Sequence, residues 1–197
     1  MLQRKTVRIL LINQDKQLLL MRVIDPTTTG TDKKPRSAFW CTIGGKIESD
    51  ETVEQAASRE LFEETGLTQE DVKLGPIVWY GLHQMIISGN HVELDEKFIV
   101  ANLISNKQVT QDNFTENEKS VVTHLEWLSL ADIVNYSEPI FPAILKTELA
   151  DILNVNYPVA PKCVEIALQP KAIDDCTLTY VFARMRPSLC AMLNFSE

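Results

Sequence analysis

Two parts of the chain carry runs of apolar and β-branched residues bounded by turn residues, a pattern that is typical of β-strands. Thr6 to Asn13 (TVRILLIN) and Gln17 to Val23 (QLLLMRV) are rich in β-branched and apolar residues and flank a short polar turn, so they predict a hairpin. Val72 to Ser88 and the segment HVELDEKFIVANLI, joined by the turn residues Gly89-Asn90, predict a second antiparallel pair. The two pairs lie on either side of residues 44–67.

The segment between these pairs has the spacing of an amphipathic helix instead. From Glu51 the chain predicts one helix that ends at Gly66, since glycine supplies the left-handed residue that closes many helices. Asp50 or Ser49 is the expected N-cap, and Glu51 lies in the first turn, where a negative charge suits the helix dipole. At about 100° per residue, an apolar stripe is formed by Val53, Ala57 and Leu61.

Three carboxylates share the apolar side of this helix. Glu60 and Glu64 lie within about 20° of Val53, and Glu63 lies on the flank. Carboxylates within one turn repel each other by roughly 0.2–0.5 kcal/mol per surface pair, and by more when they are partly buried. The helix by itself leaves two explanations open: an acid-rich surface helix, or a cluster of ligands for a metal ion.

The turn before the helix favours the second explanation. Gly44-Gly45 permits backbone conformations that are closed to other residues, and it brings bare N–H groups near the start of a helix, where phosphate binds well. A phosphate-binding turn next to a carboxylate cluster is typical of divalent-metal phosphate chemistry.

The spacing of residues 45–67 is that of a known motif. The matching positions are Gly45, Glu51, Arg59, Glu60, Leu61, Glu63, Glu64, Gly66 and Leu67. They resemble the Nudix box, G-x5-E-x7-R-E-U-x-E-E-x-G-U, and similarity to the Nudix family extends more loosely from about Thr6 to Leu149. The resemblance implies an α/β (α+β) fold, a Nudix-type α/β/α sandwich with a mixed sheet. We therefore predict a Nudix hydrolase domain over residues 1–154 and a C-terminal extension over residues 155–197.

The resemblance also implies roles for the residues of the box. Divalent metal is expected on Glu60, Glu63 and Glu64. Mg²⁺ is the favoured ion and Mn²⁺ a plausible substitute, because carboxylate oxygens suit both. Arg59 is expected to orient a glutamate by ion pairing, with Glu51 as its partner. Glu64 is our first choice of general base, and the alternatives are Glu118 and Glu116, which follow the long hairpin.

Two groups of residues are candidates for contact with the substrate's phosphates. The first group is the turn itself, Gly44, Gly45 and Lys46. The second group is in the long loop from Asp25 to Ala38, which ends just before the turn and carries Lys33, Lys34 and Arg36. For this loop the alternative is a solvated segment that contacts no ligand, which is the commoner behaviour of such loops.

Composition narrows the possible partners. The 197 residues include 19 Lys and Arg against 27 Asp and Glu, which gives a net charge of −8. This charge argues against a binder of duplex nucleic acid, since such proteins present a basic face. No apolar run is long enough for a signal peptide or a membrane span. The four cysteines lack a C-x-x-C spacing, so they indicate neither a zinc site nor a disulfide framework. We therefore expect the protein to be located in the reducing environment of the cytoplasm.

The completeness of the box separates two possible functions. The first is a Mg²⁺-dependent pyrophosphohydrolase that cleaves a phosphoanhydride bond of a nucleoside diphosphate derivative or a nucleoside triphosphate. The second is a Nudix-fold module that binds a nucleotide and regulates without turnover. Binding-only relatives commonly lose a metal glutamate, and this box has lost none, so the enzyme is favoured. The sequence does not identify which nucleotide is the substrate.

Shorter elements are predicted beyond the long hairpin. Phe114 to Ser120 predicts a polar loop, Val121 to Leu128 a strand, and Ser129 the cap of a short helix. Pro139 to Leu153 predicts a terminal helix. From Val155 onward the resemblance ends, and the segments KCVEIALQP and TLTYVFARM alternate as the strands of a hairpin would. This extension is open to three interpretations: an extra sheet edge, the contact of a homodimer, or a poorly ordered segment. We predict that part of it packs on the main domain or on a partner chain.

Overall fold

A mixed β-sheet runs through the centre of the protein, with helices on both of its faces. The computed structural model describes residues 2–29 and 38–165. Its elements in chain order are β1 (Leu2–Ile12), β2 (Leu18–Val23), β3 (Thr28–Thr29), β4 (Phe39–Thr42), α1 (Val53–Thr65), β5 (Val72–Ile87), β6 (Asn90–Leu103), α2 (Glu116–Val121), β7 (Val122–Leu128), α3 (Leu130–Asn135), β8 (Ile140–Phe141), α4 (Leu145–Leu153) and β9 (Lys162–Cys163).

The sheet combines parallel and antiparallel pairs. Its strand order is β3-β5-β6-β1-β2-β4-β8, and β7 and β9 add to β2 and β5 respectively. β1 lies parallel to β6 over its whole length, whereas β5 and β6 form the long antiparallel hairpin that the sequence predicts. β1 and β2 also form an antiparallel pair, but their Cα pairing is confined to Ile12 and Leu18. Beyond that point β2 pairs instead with β4 and β7.

Each face of the sheet is covered by a different set of helices. Along β1, Val7, Ile9 and Leu11 belong to the core cluster that includes Ala57 and Leu61 of α1. Alternate residues, such as Leu10, belong to the second cluster, which includes side chains of α3 and α4. Because successive side chains of a strand point to opposite faces, both faces of β1 are buried. The predicted fold class, a mixed sheet sandwiched between helices, is confirmed.

The start of α1 differs from the sequence prediction, whereas its end does not. α1 begins at Val53, because the Thr52 hydroxyl accepts a hydrogen bond from the Gln55 backbone N–H while the Gln55 side chain accepts one from the Thr52 N–H. The predicted start at Glu51 with Asp50 or Ser49 as the cap is therefore wrong, whereas the left-handed end at Gly66, with φ of 71°, is confirmed.

The segments after the long hairpin also needed correction. Residues predicted to form a polar loop before β7 contain the helix α2, which is capped reciprocally by Thr115 and Glu118. The predicted terminal helix from Pro139 begins only at Leu145. The residues before that helix pair with β4 as strand β8. Phe141 precedes a proline, and the helical conformation is disfavoured for a residue in that position. The cap of α3 at Ser129 is confirmed.

Part of the C-terminal extension completes the sheet. Lys162 and Cys163 pair in parallel with Trp79 and Tyr80 of β5, and the Val164 N–H donates to the Tyr80 carbonyl at 2.8 Å. Val164 is buried in the core cluster of α3 and α4. The first residues of the extension thus supply an additional sheet edge. The predicted hairpin beyond residue 165 lies outside the described residues, and the domain boundary at 154, the homodimer and the cytoplasmic location stay predictions. In the described part of the chain, no helix is long and apolar enough to cross a membrane.

We expect Val164→Ala to lower the free energy of unfolding by about 1–3 kcal/mol, because it removes buried methyl groups and leaves a cavity at the sheet edge. The matched control is Val159→Ala in the same extension, since Val159 is fully exposed. This control is expected to change stability by no more than about 0.5 kcal/mol. Urea unfolding of the full chain measures both. Equal stability of the two variants would show that the extension adds nothing to the core.

Candidate active site

The glycine turn after β4 fits tightly against β1 and α1. Gly44 has a φ of 129°, and a Cβ at this position would lie 2.2 Å from the Val7 carbonyl oxygen, so a larger residue is excluded. A Cβ on Gly45 would lie 2.4 to 2.7 Å from the carboxylate atoms of Glu60. The turn therefore packs directly on the carboxylates of the helix. The Gly44 N–H donates to Glu64 Oε2 at 2.5 Å, so this N–H orients a glutamate and is not directed at a phosphate.

Arg59 links three glutamates to the turn. Its Nε and Nη2 donate to both carboxylate oxygens of Glu51, at 2.7 and 2.8 Å. Its Nη1 donates to Glu60 at 2.8 Å and to Glu63 at 3.0 Å, and its Nη2 also donates to the Lys46 carbonyl at 2.8 Å. The Arg59–Glu51 pair expected from the sequence is present. It holds the pKa of Glu51 at about 2, mainly through the hydrogen bonds from the guanidinium.

The three carboxylates of the helix differ in their exposure to solvent. Glu60 and Glu64 are 6% and 4% exposed, whereas the Glu63 side chain is 43% exposed. Burial raises the pKa of Glu64 well above its usual range, and the nearby charge of Glu60 raises it further. Burial also raises the pKa of Glu60, although the hydrogen bond from Arg59 opposes the shift. The structure thus keeps two carboxylates close together in a place where their charges are costly.

These carboxylates fit a divalent cation in their chemistry. A hard cation prefers oxygen ligands, and it would offset both the burial and the mutual repulsion of Glu60 and Glu64. Within the residues that the structure describes, no three His, Cys, Asp or Glu side chains are grouped closely enough to ligate one ion together. One nitrogen of Arg59 donates to an oxygen of Glu60 and to an oxygen of Glu63, so both carboxylates are paired with this cation in the structure.

The remaining predicted residues differ in their distance from the carboxylates and in their exposure. Glu118 lies close enough to Glu60 and Glu64 for its charge to act on both, although its own carboxylate caps α2. Glu116 is turned away and pairs with a neighbouring lysine, its side chain 92% exposed. Lys46 is exposed and pairs with Glu48 at 2.6 Å. Lys33, Lys34 and Arg36 lie outside the described residues.

Sequence reasoning missed the polar residues of β1 and β6. Arg8 donates through Nε to Glu96 at 2.8 Å, and its Nη1 is 3.4 Å from the Gly44 carbonyl. Glu96 is 3% exposed, so this is a buried ion pair beside the glycine turn. A signal was available: Arg8 is a charged residue within the otherwise apolar run from Val7 to Ile12.

We expect the metal-free protein to lose stability as the pH rises above about 4.5, the ordinary pKa of a glutamate. Because the folded-state pKa values of Glu60 and Glu64 are raised, the folded state binds more protons than the unfolded state above that pH. The free energy of unfolding therefore falls with pH until both folded-state pKa values are passed. Glu51, whose pKa is lowered to about 2, acts in the opposite sense and loses its stabilising effect below pH 4.5.

Urea unfolding in EDTA at several values between pH 5 and pH 8 tests this expectation. Glu64→Gln should show a shallower fall in stability than the wild type, because it removes one of the two titrating groups. The same slope in both proteins would contradict the assignment of the raised pKa to Glu64.

Comparison with known proteins connects this site to a family. The profile of the NUDIX domain matches residues 2–146. The chain is 42% identical over 66 residues to an oxidized purine nucleoside triphosphate hydrolase of Danio rerio, covering 32% of this chain and 42% of that protein. It is 30% identical over 103 residues to the uncharacterized Nudix hydrolase YvcI of Bacillus subtilis (strain 168), covering 52% of this chain and 59% of that protein.

Structural comparison gives the same fold. The crystal structure of a C. elegans Ap4A hydrolase binary complex matches with a TM-score of 0.52 at 17% identity, over 78% of this chain and 99% of that chain. At this identity the match concerns the fold alone. Both sequence matches cover less than two thirds of the relatives' own lengths.

Proposed function

Since this chain belongs to the NUDIX family, we propose that it is a Mg²⁺-dependent pyrophosphohydrolase of nucleotides. The bond cleaved is a phosphoanhydride of a nucleoside diphosphate derivative or a nucleoside triphosphate. The observation that carries this proposal is the pair of buried carboxylates, Glu60 and Glu64, packed against a glycine turn. Arg59 links Glu60 to the turn through the Lys46 carbonyl, and the Gly44 N–H donates directly to Glu64. Such a pair is costly without a ligand, and a cation that binds phosphate offsets the cost.

Hydrolases of this family generally use divalent metal ions. In this chain Glu60, Glu63 and Glu64 would hold the ion, with Mg²⁺ favoured and Mn²⁺ as a substitute. When bound, the ion would polarise phosphate oxygens and lower the pKa of water. Arg59 keeps Glu60 and Glu63 on one side of the helix, and the Gly44 N–H keeps the Glu64 carboxylate directed at the turn.

Proton transfer is assigned to Glu64. A buried carboxylate whose pKa is raised well above its usual range binds a proton more strongly than an ordinary glutamate, so it is suited to accept one from the attacking water. Glu118 is the alternative base, since its charge reaches the same carboxylates. Its side chain would have to leave its capping hydrogen bonds with Thr115 to act in this way.

The nucleotide class is supported by the Danio rerio relative, whose name describes a hydrolase of oxidized purine nucleoside triphosphates. The matching segment is 66 residues long, so it supports a nucleotide substrate and leaves the choice of base open. Lys46 and Gly45, at the entrance of the turn, are the proposed contacts of the phosphates, with Arg36 as a further candidate.

A hydrolysis panel tests the proposal. Purified full-length protein with Mg²⁺ is assayed on deoxynucleoside triphosphates, including oxidized purines, ADP-ribose, nucleotide sugars and dinucleoside polyphosphates. We expect Mg²⁺-dependent release of a nucleoside monophosphate from at least one class. Binding of a nucleotide without turnover of any of them would instead favour the regulatory module.

We expect divalent metal to stabilise the folded protein, because the unfolded chain does not hold the carboxylates together. At about 100 times the dissociation constant, the gain in the free energy of unfolding is about 2.7 kcal/mol. Ca²⁺ should also stabilise but support little turnover, since its looser coordination positions water poorly. Thermal unfolding with Mg²⁺, Mn²⁺, Ca²⁺ or EDTA measures the effect. A melting temperature indifferent to millimolar Mg²⁺ and Mn²⁺ would argue against a metal site at these residues.

A further inference from the structure

Two buried donors on β1 lack a partner in the described part of the chain. Arg8, Arg22 and Arg59 each donate to a carboxylate. The buried Nε of Arg4, by contrast, has no hydrogen-bond partner within residues 2–29 and 38–165. The Thr6 hydroxyl is also without a partner in this part of the chain, although Thr6 is only 2% exposed. A buried donor without an acceptor carries a desolvation cost, so the occurrence of two in one short segment points to a ligand.

Both donors lie beside the candidate active site. Arg4 and Thr6 are two residues apart on β1 and therefore point to the same face of the sheet. The adjoining backbone of β1 pairs with residues 46–47, immediately after the glycine turn. The charged groups that act on the Arg4 guanidinium are those of Arg8, Glu48, Glu60 and Glu96. Arg4 is thus close enough to the carboxylate cluster to feel the charge of Glu60.

The carboxylates near Arg4 are each paired with another cation. Glu60 accepts from Arg59 at 2.8 Å, Glu96 from Arg8 at 2.8 Å, and Glu48 from Lys46 at 2.6 Å. Burial and the neighbouring Arg8 lower the pKa of Arg4, but an arginine stays protonated in proteins. The Arg4 guanidinium is therefore a positive charge at the edge of the site, and its Nε–H has no acceptor among the described residues.

We propose that Arg4 and Thr6 form a subsite for a phosphate oxygen of the substrate. An Nε–H and a hydroxyl group both donate, so together they select an acceptor oxygen, and the charge of the guanidinium selects an anionic one. The subsite extends from the glycine turn along β1, so it suits nucleotides with two or more consecutive phosphates. This inference rests on the proposed function of the neighbouring carboxylates and adds the residues that recognise the phosphate chain.

The test is the affinity of full-length protein for ADP, measured by isothermal titration calorimetry with Ca²⁺ and, separately, with EDTA. Arg4→Gln should weaken ADP binding at least tenfold in both conditions, and Arg4→Lys should recover part of the loss because it keeps the charge but not the planar donor. Thr6→Val, which keeps the shape of the side chain, should weaken binding about threefold or more.

The control is Lys107→Gln, which removes the same unit of charge beyond the end of β6. Lys107 pairs with Asp71 and lies past Leu103, whereas Arg4 pairs with Leu94 near the other end of the β1–β6 ladder. We expect this variant to bind ADP like the wild type.

Stability without a ligand separates a binding role from a structural one. Because both donors lack a partner among the described residues, the ligand-free Arg4→Gln and Thr6→Val variants should melt at the same temperature as the wild type or higher. A lower melting temperature of Thr6→Val would mean that its hydroxyl is satisfied within the protein and would overturn the inference. ADP affinity of Arg4→Gln within twofold of the wild type would overturn it as well. ADP binding measured in EDTA tests the subsite without any dependence on turnover. Hydrolysis by Glu64→Gln at the wild-type rate would contradict the proposed function but not the subsite.

Discussion

Glu64→Gln is expected to remove nearly all hydrolysis while the protein stays folded. The carboxylate of Glu64 is buried, accepts a hydrogen bond from the Gly44 N–H, and lies next to the charge of Glu60. Glutamine keeps the shape and can still accept that hydrogen bond, but it neither ligates a cation as a charge nor accepts the proton of an attacking water. Loss of a positioned general base alone lowers the rate by roughly 10²–10⁴-fold, and loss of a metal ligand adds to this.

The same substitution should leave the metal-free protein no less stable than the wild type. Burial and the charge of Glu60 both disfavour the ionised form of Glu64, as its raised pKa indicates, so a neutral amide relieves that cost. Steady-state kinetics with Mg²⁺ and thermal unfolding in EDTA test the two halves of the prediction. The control is Glu54→Gln, an exposed glutamate on the same helix, which should retain full activity.

Two results would contradict this assignment. Wild-type turnover by Glu64→Gln would end the mechanism centred on the box. A large fall in its melting temperature without metal would make Glu64 a structural residue instead.

Arg59→Met is expected to destabilise the protein and to lower turnover at the same time. Arg59 is the shared donor to Glu51, Glu60 and Glu63, and its side chain is 31% exposed while that of Glu60 is 8% exposed. Removing one partner of a fully buried ion pair costs about 3–5 kcal/mol, so we expect about 2–4 kcal/mol at this partly exposed site. Glu60 and Glu63 would also lose the contact that orients them, and loss of such an outer contact lowers metal affinity or activity about 10–100-fold.

The lysine variant separates charge from geometry at this position. Arg59→Lys keeps the charge but not the planar fork that binds both oxygens of Glu51. It should recover part of the stability and less of the activity. Lys107→Met serves as the control for activity, because Lys107 is exposed, Asp71 keeps its hydrogen bond from Ser105, and the pair lies away from the turn. Urea unfolding and kinetics at saturating Mg²⁺ measure both effects, and full activity of Arg59→Met would show that the arginine does not position the glutamates.

Much of the fold followed from local patterns that need no knowledge of the rest of the chain. Runs of apolar and β-branched residues joined by turn residues predicted both hairpins, and the 3.6-residue period with Gly66 predicted the body and the end of α1. The start of α1 was also encoded locally, in Thr52 and Gln55, which form a capping box of a kind that recurs at Thr115 with Glu118 and, with an aspartate, at Ser129 with Asp132. The predicted cap at Asp50 or Ser49 is wrong because only Thr52 is followed three residues later by a glutamine that completes the capping box.

Other features depend on contacts between residues that are far apart in the sequence. Pro139 to Leu153 has a plausible helical pattern, yet Ile140 and Phe141 pair with β4. Pairing with the sheet satisfies the backbone N–H and C=O groups that a helix would otherwise satisfy. The sequence likewise gave no reason to prefer Glu118 over Glu116. The turn of α2 brings the charge of Glu118 to the carboxylate cluster and leaves Glu116 in solvent.

For the site, the sequence by itself determined which groups carry the chemistry, and the tertiary structure decided their surroundings. The spacing of the box places Glu60, Glu63 and Glu64 on neighbouring positions of one helix, because helical geometry is local. The packing of the helix and the glycine turn against the sheet decided which of them are buried. It also placed beside them two donors of β1 that have no partner among the described residues. Burial and the charges of distant residues set pKa values and binding properties, and these depend on three-dimensional proximity rather than on position in the chain.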